Sequence, residues 1–245
     1  MVSSQDWTLG DWQRWFRNTF ERRNAVMLDG FSARLRALLH SVSGLQDVLR
    51  KAQQPPDDAL ASVFGWLFAV ANHYPDLFLG EAMAEKYPES GCAYCHFLPC
   101  RCQVTWRSES KPMLLATSHQ SQWPTFQWQK HLKAVYGLVN ESLSLDVILS
   151  RLFREVGEVS NAEARRYSLV REAEREIAKE LADVLAWLLA LANRLELNLG
   201  RLTESHYHRW FCPNCSPPTG KCVCGHVEAL LVLPTGYGKV GTATL

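Results

Sequence analysis

Residues 179–199 read KELADVLAWLLALANRLELNL. With Ile177 just upstream, apolar side chains recur at Leu181, Val184, Leu188, Leu191 and Leu195. Steps of four and three are the mark of a helix with one buried stripe. The preceding segment keeps the same rhythm at Leu145, Ile148, Leu152, Val156 and Val159, and an earlier one does so at Leu60, Val63, Leu67 and Val70. PPDD at 55–58 suits a helix start, because proline is preset for the first turn and acids are favourable there. No alternating strand pattern of any length appears. The expected fold class is all-α, built from bundles of antiparallel helices.

Working outward, the stretch has a counterpart. DALASVFGWLFAVAN (58–72) aligns without a gap on KELADVLAWLLALAN (179–193), sharing Leu60/Leu181, Val63/Val184, Trp66/Trp187 and Asn72/Asn193 among others. Upstream, WQRWFRNTFERRN (12–24) resembles WQKHLKAVYGLVN (128–140), with Trp12/Trp128, Gln13/Gln129 and Asn24/Asn140 identical. Downstream, Gly80 matches Gly200. The chain therefore reads as a tandem: a first helical unit over 1–110, a polar, Pro-bounded linker over 111–124, a second unit over 125–230 and a flexible tail over 231–245.

All eight cysteines fall in two clusters, each reading C-x2-C, a short loop, then C-x-C. The first is Cys92, Cys95, Cys100 and Cys102; the second is Cys212, Cys215, Cys222 and Cys224. Four thiolates so close can converge tetrahedrally on one Zn²⁺, and a site closed by four sulfurs is structural. Two zinc ions per chain are expected, with an exchange of ligand pairs between clusters left open. Disulfides are the alternative, disfavoured in a reducing compartment; a redox C-x-x-C leaves each nearby C-x-C unexplained.

Of the 245 residues 47% are hydrophobic, enough for a substantial core, and 26 Lys+Arg against 25 Asp+Glu leave a net charge of +1. That balance argues against nucleic acid as a partner. The longest nearly apolar run, 184–192, is about half a bilayer span, so no membrane association is expected. The N-terminus lacks the pattern of a secretory signal. A cytoplasmic protein is expected, and a homo-oligomer is compatible with the sequence.

The chemistry sits beside the core stripes of the second unit. Glu155 and Glu158 are spaced i,i+3, as are Glu180 and Asp183, and each stands one residue ahead of a core position (Val156, Val159, Leu181, Val184). One residue rotates about 100° around a helix, so all four acids border the buried stripe. If the two helices pack antiparallel, the pairs meet across the groove. Four converging carboxylates repel unless a cation lies among them, and hard oxygen donors suit Mg²⁺ or Mn²⁺.

REVGEVSNA (154–162) and KELADVLAWLLALANRLELNL (179–199) resemble the two signature helices of MazG-like nucleotide pyrophosphohydrolases, all-α enzymes with E-x-x-E on one helix and E-x-x-D on the next. The resemblance covers about 128–200, and Arg154 stands where the family often has a further acid. It implies Mg²⁺-dependent hydrolysis of a nucleoside triphosphate to monophosphate and pyrophosphate, with Glu155, Glu158, Glu180 and Asp183 as metal-binding and catalytic groups. On that reading Lys130, Arg165, Arg166 and Lys179 are candidates for phosphate contacts, and Trp128, Trp187 and Asn193 for the nucleoside. Trp187 and Asn193 have twins in Trp66 and Asn72, which equally suits packing roles.

In the first unit Ala59 and Ser62 replace Glu180 and Asp183, and LLHSVSGLQDVL (38–49) has no E-x-x-E. That unit is expected to be a degenerate partner, packed on the catalytic one as an intrachain pseudo-dimer and able to wall the pocket. LPTGYGKVGT (233–242) resembles a phosphate loop, but Val240 replaces its hydroxyl residue and too few residues follow to form the helix that such a loop needs. The rival to an enzyme is a non-catalytic nucleotide sensor or zinc-braced interaction module.

Overall fold

The computed structural model describes residues 7–28, 30–52, 54–102, 119–166 and 170–207. The second cysteine cluster, residues 111–118 of the linker and the tail lie outside the described residues. Eight α-helices occur among those described: α1 Leu9–Met27, α2 Gly30–Lys51, α3 Asp57–Ala71, α4 Leu79–Lys86, α5 Thr125–Glu141, α6 Leu145–Arg165, α7 Val170–Arg194 and α8 Leu199–His206. They contain no strand, in keeping with the all-α expectation; Thr8 and Pro124 form an isolated bridge. No helix among them is long and apolar enough to cross a membrane.

Local chemistry starts these helices where the structure has them. Thr8 caps α1 in a reciprocal pair with Asp11, each side chain satisfying a backbone N–H of the other. Ser144 caps α6 and Asn198 caps α8, accepting from Val147 and Arg201. Thr125 N–H donates to Trp7 carbonyl (3.0 Å), which stitches the start of α5 to that of α1.

Two long pairs carry the core. Leu38, Val42 and Leu45 of α2 face Leu60, Val63 and Leu67 of α3, while Leu152, Val156 and Val159 of α6 face Leu181, Val184 and Leu188 of α7. All twelve are excluded from solvent. The short helices cross over: α4 packs on α7 and α8 packs on α3. The end of the stretch whose composition reads as linker is packed too, with Gln120 and Trp123 buried.

One polar device occurs twice. Gln13 donates to Leu77 carbonyl (2.6 Å) and accepts from Leu79 N–H (3.1 Å), while Asn72 donates to the Gln13 carbonyl (3.1 Å). Gln129 donates to Leu197 carbonyl (2.6 Å) and accepts from Leu199 N–H (3.3 Å), while Asn193 donates to the Gln129 carbonyl (3.0 Å). In both places these bonds hold the loop that launches the short crossing helix, and so aim α4 and α8. Buried amides left without such partners would each cost about 1–3 kcal/mol.

Candidate functional site

Glu155 on α6 and Glu180 and Asp183 on α7 point into one space, their nearest oxygens all within 4.8 Å of one another. The phase argument explains the meeting: each acid is one step round from a core residue on facing helices. Glu155 is buried at 4% exposure, and the other two side chains are about one-fifth exposed. Glu158, one turn beyond Glu155, stands outside the trio and accepts from Asn161 (3.4 Å).

Two residues arrive from the other half. Because α4 lies on α7, its last residue, Lys86, places its ammonium against Asp183, 3.1 Å from the Lys179 carbonyl and 3.9 Å from Glu180. The next residue, Tyr87, donates its hydroxyl to the other oxygen of Asp183. Arg154 holds one oxygen of Glu155 through Nη2 (2.5 Å) and Nε (3.2 Å). Burial pushes the Glu180 carboxyl above its ordinary range; Lys86 pulls it down, but the fields of Asp183, Glu155 and Glu158 keep it raised. The Tyr87 phenol is pushed far up, first by burial and then by Asp183, and so remains a donor. Three convergent carboxylates offering hard oxygens fit a divalent cation such as Mg²⁺.

A cavity of about 310 Å³ opens from this cluster. Arg154, Glu155 and Asp183 line it together with Tyr87, Tyr136 and Trp187, and so do Cys92, Cys100 and Cys102. Of the other residues singled out from sequence, Lys130, Arg165, Arg166, Lys179, Trp128 and Asn193 do not line it. Trp128 is buried against Trp123 and His131. Lys130 is exposed, Arg165 bonds the Asn161 carbonyl, Arg166 pairs with Glu163 and Lys179 pairs with Glu176. Sequence reasoning missed Lys86, Tyr87 and Tyr136. The available signal was register: Lys86-Tyr87 follows Gly80 at the distance at which His206-Tyr207 follows Gly200.

The α2–α3 pair carries hydroxyls rather than acids beside its core stripe. Ser41, one residue ahead of buried Val42 as Glu155 is ahead of Val156, bonds Ser62 hydroxyl to hydroxyl (3.1 Å). Tyr207 arrives there from α8 as Tyr87 does from α4, but its ring lies among Trp15, Phe16 and Phe20. Gly65 of α3 leaves the room for it: a Cβ at that position would stand 2.2 Å from the Tyr207 hydroxyl oxygen.

The four cysteines of the first cluster also converge. Their sulfurs lie within 4.8 Å of one another, with Cys92 and Cys102 3.6 Å apart and Cys95 and Cys100 3.9 Å apart. Four sulfurs about 2.3 Å from one zinc ion stand about 3.8 Å apart, so the set fits that ion as it is. All four are free thiols. Backbone N–H groups of Tyr94, Arg101 and Cys102 point at Cys92, Cys95 and Cys100 sulfurs. Burial raises the Cys95 thiol, but the N–H groups of Arg101 and Phe97 and the neighbouring thiols outweigh it and bring the group to about 7. Gly91 at φ 139° turns the chain into this loop, where a Cβ would meet the Phe97 carbonyl at 3.0 Å.

Residues 143–205 match the MazG nucleotide pyrophosphohydrolase domain. The MazG segment runs from just before α6 to α8 and holds Glu155, Glu158, Glu180 and Asp183, and its all-helical course agrees with the match. It points to nucleotide pyrophosphohydrolase activity in general. Lys86, Tyr87 and the cysteine loop lie outside the MazG segment. No curated protein and no solved structure matches the chain.

Proposed function

We propose that the chain is a Mg²⁺-dependent nucleotide pyrophosphohydrolase, converting a (d)NTP and water to the (d)NMP and pyrophosphate. The observation that carries this reading is the meeting of Glu155, Glu180 and Asp183 inside the MazG segment. Those three, with Glu158 beside them, would hold Mg²⁺ or Mn²⁺, which when bound neutralises phosphate charge and acidifies a water. Glu158, outside the trio yet close enough for its field to raise Glu180, is the acid left to orient the attacking water. Lys86 and Arg154 supply positive charge to the triphosphate oxygens. The rings of Trp187 and Tyr136 offer the nucleoside an apolar, aromatic wall.

On this reading residues 1–110 and 125–230 are two copies of one unit, packed as an intrachain pseudo-dimer. The twin Gln–Asn devices, the crossing of α4 and α8 and the Ser41–Ser62 pair support it. The first cysteine cluster takes Zn²⁺, and so by its spacing does the second.

One observation favours a non-catalytic sensor: Lys86 already rests on Asp183 beside Glu180, so it can serve as a permanent counter-ion in place of a metal. A (d)NTP panel with Mg²⁺ or Mn²⁺ separates the two. Release of pyrophosphate from at least one nucleotide, lost about 100-fold or more in Glu155→Gln and Asp183→Asn, establishes the hydrolase. Nucleotide binding without turnover establishes the sensor.

A further inference from the structure

The cysteine loop shares a cavity with the carboxylates, although Cys102 and Glu155 are 53 positions apart in sequence. Cys92, Cys100 and Cys102 line the same cavity as Glu155 and Asp183, and Tyr94 completes that wall. A chain of contacts gives the order across the space. Asp183 accepts from the Tyr87 hydroxyl, the Tyr87 ring lies edge-on to Tyr136 (6.1 Å), and the Tyr136 oxygen accepts from Ala93 N–H inside the loop (3.5 Å). The Cys100 N–H donates to the Val135 carbonyl (2.7 Å), tying the loop to α5. Two aromatic rings therefore stand between the acidic cluster and the thiols.

We propose that the zinc-loaded loop of residues 92–102 is the wall that receives the nucleoside end of the substrate, so that the first half sets nucleotide affinity while the second carries the chemistry. This rests on the reading of the carboxylate cluster given above. Charge decides which end of the substrate faces the loop. Zinc held by four thiolates carries a net charge of −2, which repels a triphosphate and tolerates an uncharged base, whereas Arg154, which lines the cavity beside Glu155, attracts the phosphates. Zinc also decides whether the wall exists. Residues 91–102 contain no helix, and few backbone bonds brace them, such as Cys92 N–H to Phe97 carbonyl and His96 N–H to Cys92 carbonyl. Convergence of the four sulfurs on one ion adds a restraint to these and to the ties to Val135 and Tyr136. Tyr94 stands at the rim, 60% exposed.

The test uses the full chain as wild type, Cys102→Ser and Tyr94→Ala. Zinc content, kcat, KM and the affinity for a non-hydrolysable α,β-imido (d)NTP are measured, the last by tryptophan fluorescence. Inorganic pyrophosphate serves as the probe of the phosphate end. Cys102→Ser should lose the first cluster's zinc and raise KM and the analogue Kd about tenfold or more, with kcat and pyrophosphate affinity changed less than about threefold. Tyr94→Ala should keep its zinc and raise KM severalfold, which keeps the test open if Cys102→Ser does not fold. An unchanged analogue Kd in both variants, equal weakening of analogue and pyrophosphate, or absence of zinc from the wild-type loop each overturns the wall. Wild type that neither hydrolyses nor binds nucleotide overturns the hydrolase reading and the wall with it; wild type that turns over nucleotide while loop variants keep its KM overturns the wall alone.

Discussion

Lys86→Met tests the cation that the first half delivers to the acids of the second. Methionine keeps an unbranched stem, one atom shorter, and removes the charge. The lysine is 22% exposed, touches Asp183 and lies 3.9 Å from Glu180. At that distance one ion pair is worth about 4 kcal/mol at an effective dielectric near 20. Much of this is offset because the ammonium no longer has to be desolvated, and partial exposure screens the rest. The net loss without metal should be about 2–3 kcal/mol, which for a chain of this size lowers Tm by about 5–10 °C. A divalent ion should take over the neutralisation. In the variant, Mn²⁺ then meets no competing ammonium, so its affinity should rise about tenfold and most of the Tm deficit should vanish at saturation. Melting curves of both proteins in EDTA and across a MnCl₂ titration measure this. A Tm deficit of constant size at every metal concentration, or weaker Mn²⁺ binding in the variant, would refute the shared-site argument.

Gly65→Ala puts a methyl 2.2 Å from the Tyr207 hydroxyl oxygen and 3.1 Å from Phe16, so it should cost about 1–3 kcal/mol despite alanine's better helix propensity; the cost in urea unfolding should shrink in a Tyr207→Phe background, and equal costs in both would be inconsistent with that contact. Burial holds the His131 imidazole below its ordinary 6.5, and the Pro88 carbonyl and Glu89 do not restore it. The group is thus neutral in the folded chain where the unfolded chain takes a proton, so its stability contribution is whole above about pH 6.5 and is lost as pH falls below it. His131→Gln should flatten the fall in urea midpoint between about pH 7 and pH 5; an unaltered slope would exclude His131 as a contributor.

The helices and acids were legible because both are local. The stripe from Ile177 to Leu191 is a matter of period, and the placing of Glu180 and Asp183 beside it is a matter of phase. Glu155 joins them because its helix carries the same phase on the facing surface. For Lys86 and Tyr87 the sequence offered only their register after Gly80, and nothing in AMAEKYPE announces that its helix crosses to α7. Their place depends on Gln13 and Asn72 aiming the loop before α4. Gln129 and Asn193 show the limit from another side. Their recurrence was visible as identity with Gln13 and Asn72, yet only the bonds to Leu197 and Leu199 reveal that the shared residues brace a loop. Trp128, a nucleoside candidate from sequence, is buried against Trp123, because a large amphipathic ring suits a core as well as a ligand. The cysteine spacing revealed a tetrad but not its neighbours, which depend on how α5 lies.

The crossing of α4 onto α7 has a kinetic corollary. Lys86 and Asp183 belong to one polypeptide, so their encounter is unimolecular, and the tether fixes their effective concentration whatever the concentration of protein. A site assembled from separate subunits dissolves on dilution. On the hydrolase reading, this one should give the same specific activity at nanomolar as at micromolar protein.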